Sequence, residues 1–379
     1  MTAEVHGTCD PRFESLRRTF AGNLESGADV GASFAVTIDG EMVVDLWGGW
    51  ADPGQTRPWE KDTLVNVYST TKTMTALTAL LLADRGELDF HAPVARYWPE
   101  FAANGKSAVT VAHLMSHSSG LSGWKEPLAV EDLYDWEKAT SLLAAQAPFW
   151  EPGTAPGYHG MTQGYLVGEV VRRITGKTLG TVFREEIAEP LGADFHIGLP
   201  ASEDHRVAAL IPPPPGQGMA EGDDLPELTA NMSNNPRVEV PVTQTRAWRG
   251  AEIPAAGGHG NARAIARVHS ILANGGEVDG RLYLSEAGCR RALELQVEGH
   301  DLVLNTPARF GLGFGLAGGV LPTPNASVLY WGGYGGSLAV IDMENRAAFG
   351  YAMNRMESTT TGDVRGVGLV MGMWSALAG

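Results

Sequence analysis

The spacing of apolar residues near the N-terminus predicts a helix followed by a hairpin. Asp10 and Pro11 are typical of a helix start, as N-cap and first-turn residue. Residues 33–50 alternate in polarity around Asp39-Gly40, a dipeptide that favours a tight turn between antiparallel strands. The apolar face of the predicted helix consists of Phe13, Leu16, Phe20 and Leu24.

The middle of the chain shows short helical patterns separated by segments rich in Pro and Gly. Residues 109–121 and 163–176 carry such patterns. Residues 211–227, IPPPPGQGMAEGDDLPE, are incompatible with regular structure and predict an exposed loop. Further on, Asn261 is a candidate N-cap for a helix that ends at Gly275.

The C-terminal third changes to strand patterns before a final helix. Apolar, β-branched and aromatic residues are frequent in three runs, which predict strands. A last helical pattern covers residues 366–377. The three strand runs are residues 308–318, 328–342 and 347–356.

These patterns predict an α+β protein of the α/β sandwich type. The expected arrangement is one antiparallel sheet built from both ends of the chain and flanked by the N- and C-terminal helices. Residues 1–90 and 250–379 would form this sheet domain. Residues 91–249 would form a mostly helical domain that leaves a cleft between the two.

Composition and charge restrict the possible partners. The chain has 379 residues, 44% of them hydrophobic, which is enough for a large core in one or two domains. A formal net charge of −16 argues against nucleic-acid binding and against attraction to an anionic membrane surface. Cys9 and Cys289 lack metal-site spacing. Neither a secretory signal nor an apolar run of about 18 residues is evident. We therefore expect a cytoplasmic protein without a cofactor or bound metal; the oligomeric state stays open.

Ser69-x-x-Lys72 precedes a long apolar stretch and has the spacing of a nucleophile and its base. Residues three apart on a first helical turn share one face, and burial lowers the pKa of a lysine so that it can accept a proton. The alternative interpretation is a capped helix with a solvated lysine. Ser122-x-x-Lys125 has the same spacing, but no helix follows that would desolvate its lysine.

Two further segments carry candidate chemistry. Tyr158 follows a Pro/Gly loop and precedes a helical pattern, so its hydroxyl could project into a cleft, although such a tyrosine often only packs. Residues 330–337, YWGGYGGS, place many glycines within a strand pattern. This density indicates either close approach of another group to the backbone or a bulged edge strand.

Other short motifs point to weaker alternatives. The G-x-G-x-x-G of residues 313–318 has no following helix, which argues against dinucleotide binding. His113 and His117 would share a helix face, but a third metal ligand is not evident. The chain also lacks the G-x-S-x-G motif of α/β-hydrolases.

The order of these motifs resembles that of serine hydrolases related to class C β-lactamases and penicillin-binding proteins, and most of all the family VIII carboxylesterases. The likeness covers nearly the whole chain. It implies a β-lactamase/transpeptidase-like fold with the active site in the cleft between the sheet domain and the helical domain. It also implies Ser69 as the acylated nucleophile and Lys72 and Tyr158 as the proton-transfer pair. It also implies an oxyanion hole made by the backbone N–H groups of Ser69 and Tyr334.

Two departures from the lactamase pattern change the expected substrate. Gly160 replaces the Asn of the Tyr-x-Asn motif, and Trp331-Gly332-Gly333 replaces Lys-Thr-Gly. Since Trp331 offers one N–H donor and no positive charge, it cannot bind a carboxylate as that lysine does. We expect the Trp331, Gly332 and Gly333 segment to contact a neutral substrate, and the resemblance indicates a serine carboxylesterase acting on short-chain acyl esters.

Three alternatives remain from the sequence. An acyltransferase of the same fold would pass the acyl group to an alcohol or amine instead of water. An amidase, peptidase or β-lactamase would use the same nucleophile on another carbonyl. A binding protein that lost catalysis would have no chemical reason to retain Ser69, Lys72 and Tyr158 together.

Overall fold

The computed structural model of the chain describes residues 4–215 and 225–379. Its strands form one large and two small antiparallel sheets. The strands are β1 (Val5–Cys9), β2 (Gly31–Ile38), β3 (Glu41–Gly49), β4 (Val65–Asn66), β5 (Phe195–His196), β6 (His259–Gly260), β7 (Glu277–Val278), β8 (Arg281–Leu282), β9 (Val297–His300), β10 (Pro307–Phe310), β11 (Gly315–Leu316), β12 (Val328–Gly332), β13 (Leu338–Asp342) and β14 (Ala347–Met353).

The large sheet combines strands from both ends of the chain. Its nine strands have the order β1-β3-β2-β14-β13-β12-β11-β10-β9, and every neighbouring pair is antiparallel. β2, from the N-terminal part, pairs with β14 from the C-terminal part, which joins the two ends into one sheet. The predicted antiparallel sheet is therefore confirmed.

The helices vary from single turns to four turns. They are α1 (Glu14–Glu25), α2 (Thr71–Asp84), α3 (Val111–Met115), α4 (Trp136–Ala145), α5 (Thr162–Thr175), α6 (Leu179–Phe183), α7 (Glu189–Leu191), α8 (Glu227–Asn234), α9 (Val240–Thr243), α10 (Arg246–Gly250), α11 (Ala262–Ala273), α12 (Glu286–Arg290) and α13 (Val364–Ala378). A π-helical turn, Arg184–Ala188, joins α6 to α7. Further 3-10 turns cover Pro11–Phe13, Tyr68–Thr70, Val94–Arg96, Pro99–Ala102, Val130–Tyr134, Ala201–Arg206 and Arg291–Leu293.

Helices cover both faces of the large sheet. Successive strand residues point to opposite faces. Accordingly, the Phe34 ring packs 6.4 Å from Phe20 of α1, whereas Ala35 packs against Ala262 and Ala266 of α11. α13 lies beside α1, so the predicted flanking of the sheet by the terminal helices is confirmed.

The helix caps and the tight turn predicted in the N-terminal part and at α11 are confirmed. The Asp10 side chain accepts from Arg12 N at the start of the first helical segment, and Asp39 and Gly40 form the turn between β2 and β3. Asn261 caps α11 by accepting from Ala264 N. The polar and apolar pattern was sufficient at these positions because the interactions are local.

The strand predictions need correction at both edges of the large sheet and within two of the predicted runs. β1 and β9 were not predicted and pair with β3 and β10 at the two edges. The run over residues 308–318 is not one strand, because a turn separates β10 from β11. The run over residues 328–342 forms two strands, since the glycine-rich segment between β12 and β13 turns the chain back on itself.

The part between residues 91 and 249 is rich in helices and loops in its described ranges, and α2 is buried against it. The division into a sheet domain and a helical domain stays a prediction. Of the loop predicted over residues 211–227, residues 216–224 lie outside the described residues, and α8 begins at Glu227. No helix within residues 4–215 and 225–379 combines the length and apolarity needed to cross a membrane.

Candidate active site

The Ser69-x-x-Lys72 motif lies where a 3-10 turn, Tyr68–Thr70, leads into α2. Ser69 is 8% exposed and Lys72 is fully buried, so the alternative of a solvated lysine is wrong. Tyr68 has a φ of 44°, in the left-handed region that a bulky residue rarely adopts. The local backbone is therefore held in an unusual conformation immediately before Ser69.

Ser69, Lys72 and Tyr158 form a compact triangle of polar atoms. The Ser69 Oγ lies 2.5 Å from the Tyr158 hydroxyl and 3.0 Å from Lys72 Nζ. Lys72 Nζ lies 3.2 Å from the same tyrosine hydroxyl. The structure thus brings together the three residues predicted to carry the chemistry, within direct proton-transfer distance of one another.

The surroundings of Lys72 favour a neutral amine. Burial lowers the pKa of Lys72 well below its ordinary value. The amine also lies 2.7 Å from the Gly160 carbonyl oxygen and 3.0 Å from the Ala255 carbonyl oxygen. A neutral amine has two N–H bonds, which these carbonyls accept, so its lone pair is left for Ser69 and Tyr158.

Tyr158 is held by a loop that the sequence did not single out. Asp301, in the connection between β9 and β10, accepts from the backbone N–H of Tyr158 at 3.1 Å. The same carboxylate oxygen accepts from Val303 N and Leu304 N, which fixes the loop itself. Burial raises the pKa of Tyr158, so this residue keeps its hydroxyl proton. Asp301 belongs to no motif, and only the tertiary structure identifies it.

An aromatic stack lies against Tyr158. The Trp331 ring is stacked on His117 at 5.1 Å and lies 6.1 Å from the Tyr158 ring. His117 is fully buried, and its Nδ1 accepts from His159 N at 3.1 Å. Burial lowers the pKa of His117 well below its ordinary value, so the stack is uncharged.

The predicted pairing of His113 and His117 on one helix face is wrong. α3 ends at Met115, and His117 has a φ of 59°, which turns the chain away from the helix. Within the described ranges, no cluster of three His, Cys, Asp or Glu side chains is arranged to hold a metal ion. The sequence spacing alone did not reveal the end of this five-residue helix.

The glycine-rich turn after β12 packs against the 3-10 turn Tyr68–Thr70, which contains Ser69. A β carbon on Gly333 would lie 2.1 Å from the Val67 carbonyl oxygen, so only glycine allows this approach. The ring of the next residue, Tyr334, meets the Tyr68 ring edge-on at 5.4 Å. The backbone segments of Ser69 and Tyr334, the predicted oxyanion donors, therefore belong to two adjoining turns.

A pocket of about 350 Å³ opens above the triangle. Ser69, Tyr158 and Tyr334 lie in its wall, and Arg237 and Glu239 are its charged residues. The predicted substrate contacts Trp331 and Gly332 instead line a smaller neighbouring cavity that shares Tyr158 with the pocket. The remaining lining of the main pocket is largely apolar, with Met161, Pro212, Pro213, Met232, Pro236, Val238, Val240, Pro241 and Ala256.

Comparisons with known proteins agree with this architecture. A family model described as Beta-lactamase matches residues 16–368. A crystal structure of a family VIII carboxylesterase superimposes with a TM-score of 0.94 at 45% identity, covering 98% of this chain and 100% of that one. A penicillin-binding protein homologue from Caulobacter crescentus superimposes with a TM-score of 0.92 at 39% identity, covering 98% of this chain and 100% of that one.

Two curated relatives extend the comparison. The esterase/beta-lactamase LipL of Mycobacterium tuberculosis is 38% identical over 371 residues, which cover 93% of this chain and 84% of the relative. The esterase EstB of Burkholderia gladioli is 30% identical over 344 residues, covering 83% of each chain. With its family match, its fold and these relatives in agreement, the chain belongs to the beta-lactamase family.

Proposed function

We propose that the protein is a serine carboxylesterase that hydrolyses short-chain acyl esters through an acyl-enzyme on Ser69. The observation that carries the proposal is the triangle of Ser69, Lys72 and Tyr158, with 2.5 Å between the two hydroxyl oxygens and 3.0 Å between Ser69 Oγ and the amine. The broader class, a carboxylic ester hydrolase, follows from the family and from the esterases that the chain resembles.

In the first half of the reaction, Ser69 Oγ attacks the ester carbonyl carbon. Its proton passes to the neutral amine of Lys72, and the Tyr158 hydroxyl lies beside both groups to relay it. The carbonyl oxygen gains the negative charge, which the backbone N–H groups of Ser69 and Tyr334 stabilise. The ester C–O bond then breaks, and the leaving alcohol takes the proton from the Lys72–Tyr158 pair.

In the second half, water replaces the alcohol. Lys72 and Tyr158 accept a proton from water as its oxygen attacks the acyl carbon, and the same N–H groups hold the oxyanion. The bond between the acyl carbon and Ser69 Oγ breaks, and Ser69 regains its proton. Lys72 is the base in this scheme because burial favours its neutral form, whereas burial keeps Tyr158 protonated.

The pocket supports small neutral substrates. Its volume of about 350 Å³ is near the lower end of small-molecule sites, roughly 300–1,000 Å³. Trp331 brings no positive charge to the side of Tyr158, and Arg309, the cation of the neighbouring cavity, is paired with Glu298 at 2.6 Å. Arg237 and Glu239 form an ion pair at 3.5 Å, and both side chains are largely exposed.

The decisive experiment compares the wild type with Ser69→Ala on p-nitrophenyl esters from acetate to dodecanoate. We expect turnover that is greatest for the short chains and that disappears in Ser69→Ala. Turnover that survives the substitution would contradict the mechanism. A preference for the longest chains would contradict the proposed substrate class. Adding a primary alcohol and analysing the products separates hydrolysis from acyl transfer.

A β-lactamase side reaction is the second candidate, because the relative LipL is named as both esterase and β-lactamase. The uncharged stack at Trp331 and the absence of a side chain at Gly160 disfavour binding of a lactam carboxylate and amide. We therefore expect nitrocefin hydrolysis to be slow compared with ester hydrolysis. Nitrocefin turnover as fast as that of p-nitrophenyl butyrate would reverse the assignment.

A further inference from the structure

The buried hydroxyl of Ser337 connects two segments of the active site. Ser337 follows the glycine-rich turn after β12 and is 1% exposed. Its hydroxyl donates to the Val67 carbonyl oxygen at 2.8 Å and lies 2.9 Å from Thr70 Oγ1. Because a serine has one hydroxyl proton, Thr70 is the donor in the second bond. The two partners lie on either side of Ser69 in the chain.

Two backbone hydrogen bonds close the turn that precedes Ser337. Gly333 N donates to the Ser337 carbonyl oxygen at 2.8 Å, and Gly336 N donates to Gly333 O at 3.1 Å. Tyr334 lies within this closed turn. The Ser337 carbonyl oxygen is therefore bonded to the turn that carries Tyr334. The Ser337 hydroxyl is bonded to the segment that carries Ser69.

A purely structural role for Ser337 is the competing interpretation, and the other contacts of the turn argue against it. The Gly335 N–H donates to Thr359 O at 3.0 Å. Arg365, which is buried and forms ion pairs with Asp29 and Asp363, donates to Gly335 O at 2.9 Å. These bonds hold the turn to the connection between β14 and α13 and to α13 itself, without the Ser337 hydroxyl. Beside the edge-on contact of the Tyr334 ring with Tyr68, the Ser337 hydroxyl joins this turn to the Ser69 turn by side-chain hydrogen bonds.

We infer that Ser337 is a positioning residue, whose hydroxyl sets the separation of the Ser69 and Tyr334 N–H groups. The inference rests on the proposed function, since it assumes that an oxyanion forms between them. Oxyanion donors act only when they are aimed at the position that the charged oxygen occupies in the transition state. A small displacement of one donor should lower kcat while leaving KM nearly unchanged.

The test uses Ser337→Ala, with Ser270→Ala as the matched control. Ser270 is a fully buried serine of α11 whose hydroxyl donates to Arg267 O at 2.6 Å, away from the pocket. For Ser337→Ala we expect kcat for p-nitrophenyl butyrate to fall roughly 10- to 100-fold, with KM within about twofold. Ser270→Ala should keep the wild-type kcat while losing a comparable buried hydrogen bond.

A second readout isolates the oxyanion. An alkyl trifluoromethyl ketone adds to Ser69 Oγ: the C–O bond forms, the carbonyl π electrons move to oxygen, and the serine proton passes to the Lys72–Tyr158 pair. Its inhibition constant should rise in Ser337→Ala by a factor similar to the loss in kcat. A role in folding alone would lower the melting temperature without raising this constant in the folded enzyme.

Thr70→Val removes one of the two Ser337 hydroxyl bonds and leaves the bond to the Val67 carbonyl oxygen, so it should give a smaller loss of the same kind; it serves if Ser337→Ala does not fold. An unchanged kcat and inhibition constant in the folded variant would overturn the inference. So would an equal loss in Ser270→Ala. If the wild-type turnover does not depend on Ser69, the proposed function fails first. If it depends on Ser69 but not on Ser337, only the positioning role fails.

Discussion

The Ser69 Oγ and Tyr158 hydroxyl atoms lie 2.5 Å apart although 89 residues separate them in the chain. One of the two hydroxyls donates to the other, so the tyrosine is hydrogen-bonded to the nucleophilic oxygen already in the free enzyme. The contact depends on the packing of the Tyr158 loop against α2, with Asp301 holding the Tyr158 backbone. This arrangement places the tyrosine hydroxyl where the proposed mechanism needs a proton relay.

The first prediction concerns Tyr158→Phe. The ring is kept and the hydroxyl is lost, so packing against Trp331 should change little. We expect kcat for p-nitrophenyl butyrate to fall about 10²- to 10⁴-fold, the range of general acid–base contributions. Steady-state kinetics and thermal unfolding of the same preparation provide the measurement. A kcat within about threefold of wild type would exclude the relay.

The second prediction concerns the pH dependence of kcat/KM. Lys72 must be neutral to act as a base, and burial lowers its pKa. Activity should therefore be lost as the pH falls through this lowered pKa and should reach its plateau well below the ordinary lysine value of about 10.4. Because burial raises the pKa of Tyr158, ionisation of the tyrosine should not reduce activity on the alkaline side up to about pH 10.

The measurement is a pH profile corrected for spontaneous ester hydrolysis and for the ionisation of p-nitrophenol. Acetate esters followed by titration of the released acid provide a control without that chromophore. A rate that continues to rise up to about pH 10.4 would mean that Lys72 has an ordinary pKa. An acid limb that persists unchanged in a residually active Lys72→Ala enzyme would assign the titration to another group.

The sequence was informative where the chemistry is local. Ser69 and Lys72 are three residues apart on a helical turn, and the spacing alone places them on one face. The caps at Asp10 and Asn261 and the turn at Asp39-Gly40 depend on neighbouring residues, and the structure confirms them. A role for Tyr158 in proton transfer could be predicted only from the resemblance of the ordered motifs to those of known hydrolases.

Long-range contacts were not accessible in this way. The side chains of Asp301 and Ser337 contact active-site segments that lie far from them in the sequence. β1 was missed because its segment, VHGTC, has no strong strand pattern and is defined by pairing with β3. His117 looked like part of a helix, whereas its positive φ ends the helical pattern and brings its ring beneath Trp331.

The third prediction couples Gly160 to Met232 of α8. A β carbon on Gly160 would lie 2.6 Å from Met232 Sδ and 3.2 Å from its Cγ, closer than van der Waals contact allows. The atoms in question belong to the flexible Met232 side chain, which lines the pocket, so a β carbon at position 160 would push this side chain into the site. The Gly160 carbonyl oxygen accepts from Lys72 beside it. The absence of a side chain at position 160 is thus matched by a methionine that fills the space.

Gly160→Ala should therefore lower kcat roughly 3- to 10-fold, and Met232→Ala introduced into that variant should recover most of the loss. The reason is that the methionine side chain, which the new β carbon displaces, is then absent. We expect a coupling of about 1 kcal/mol between the two positions, within the range for residues in contact. Gly368→Ala is the matched control, because a β carbon at this exposed glycine of α13 meets nothing within 4 Å. A double variant that is no more active than Gly160→Ala would show that the cost at position 160 comes from its own backbone and not from Met232.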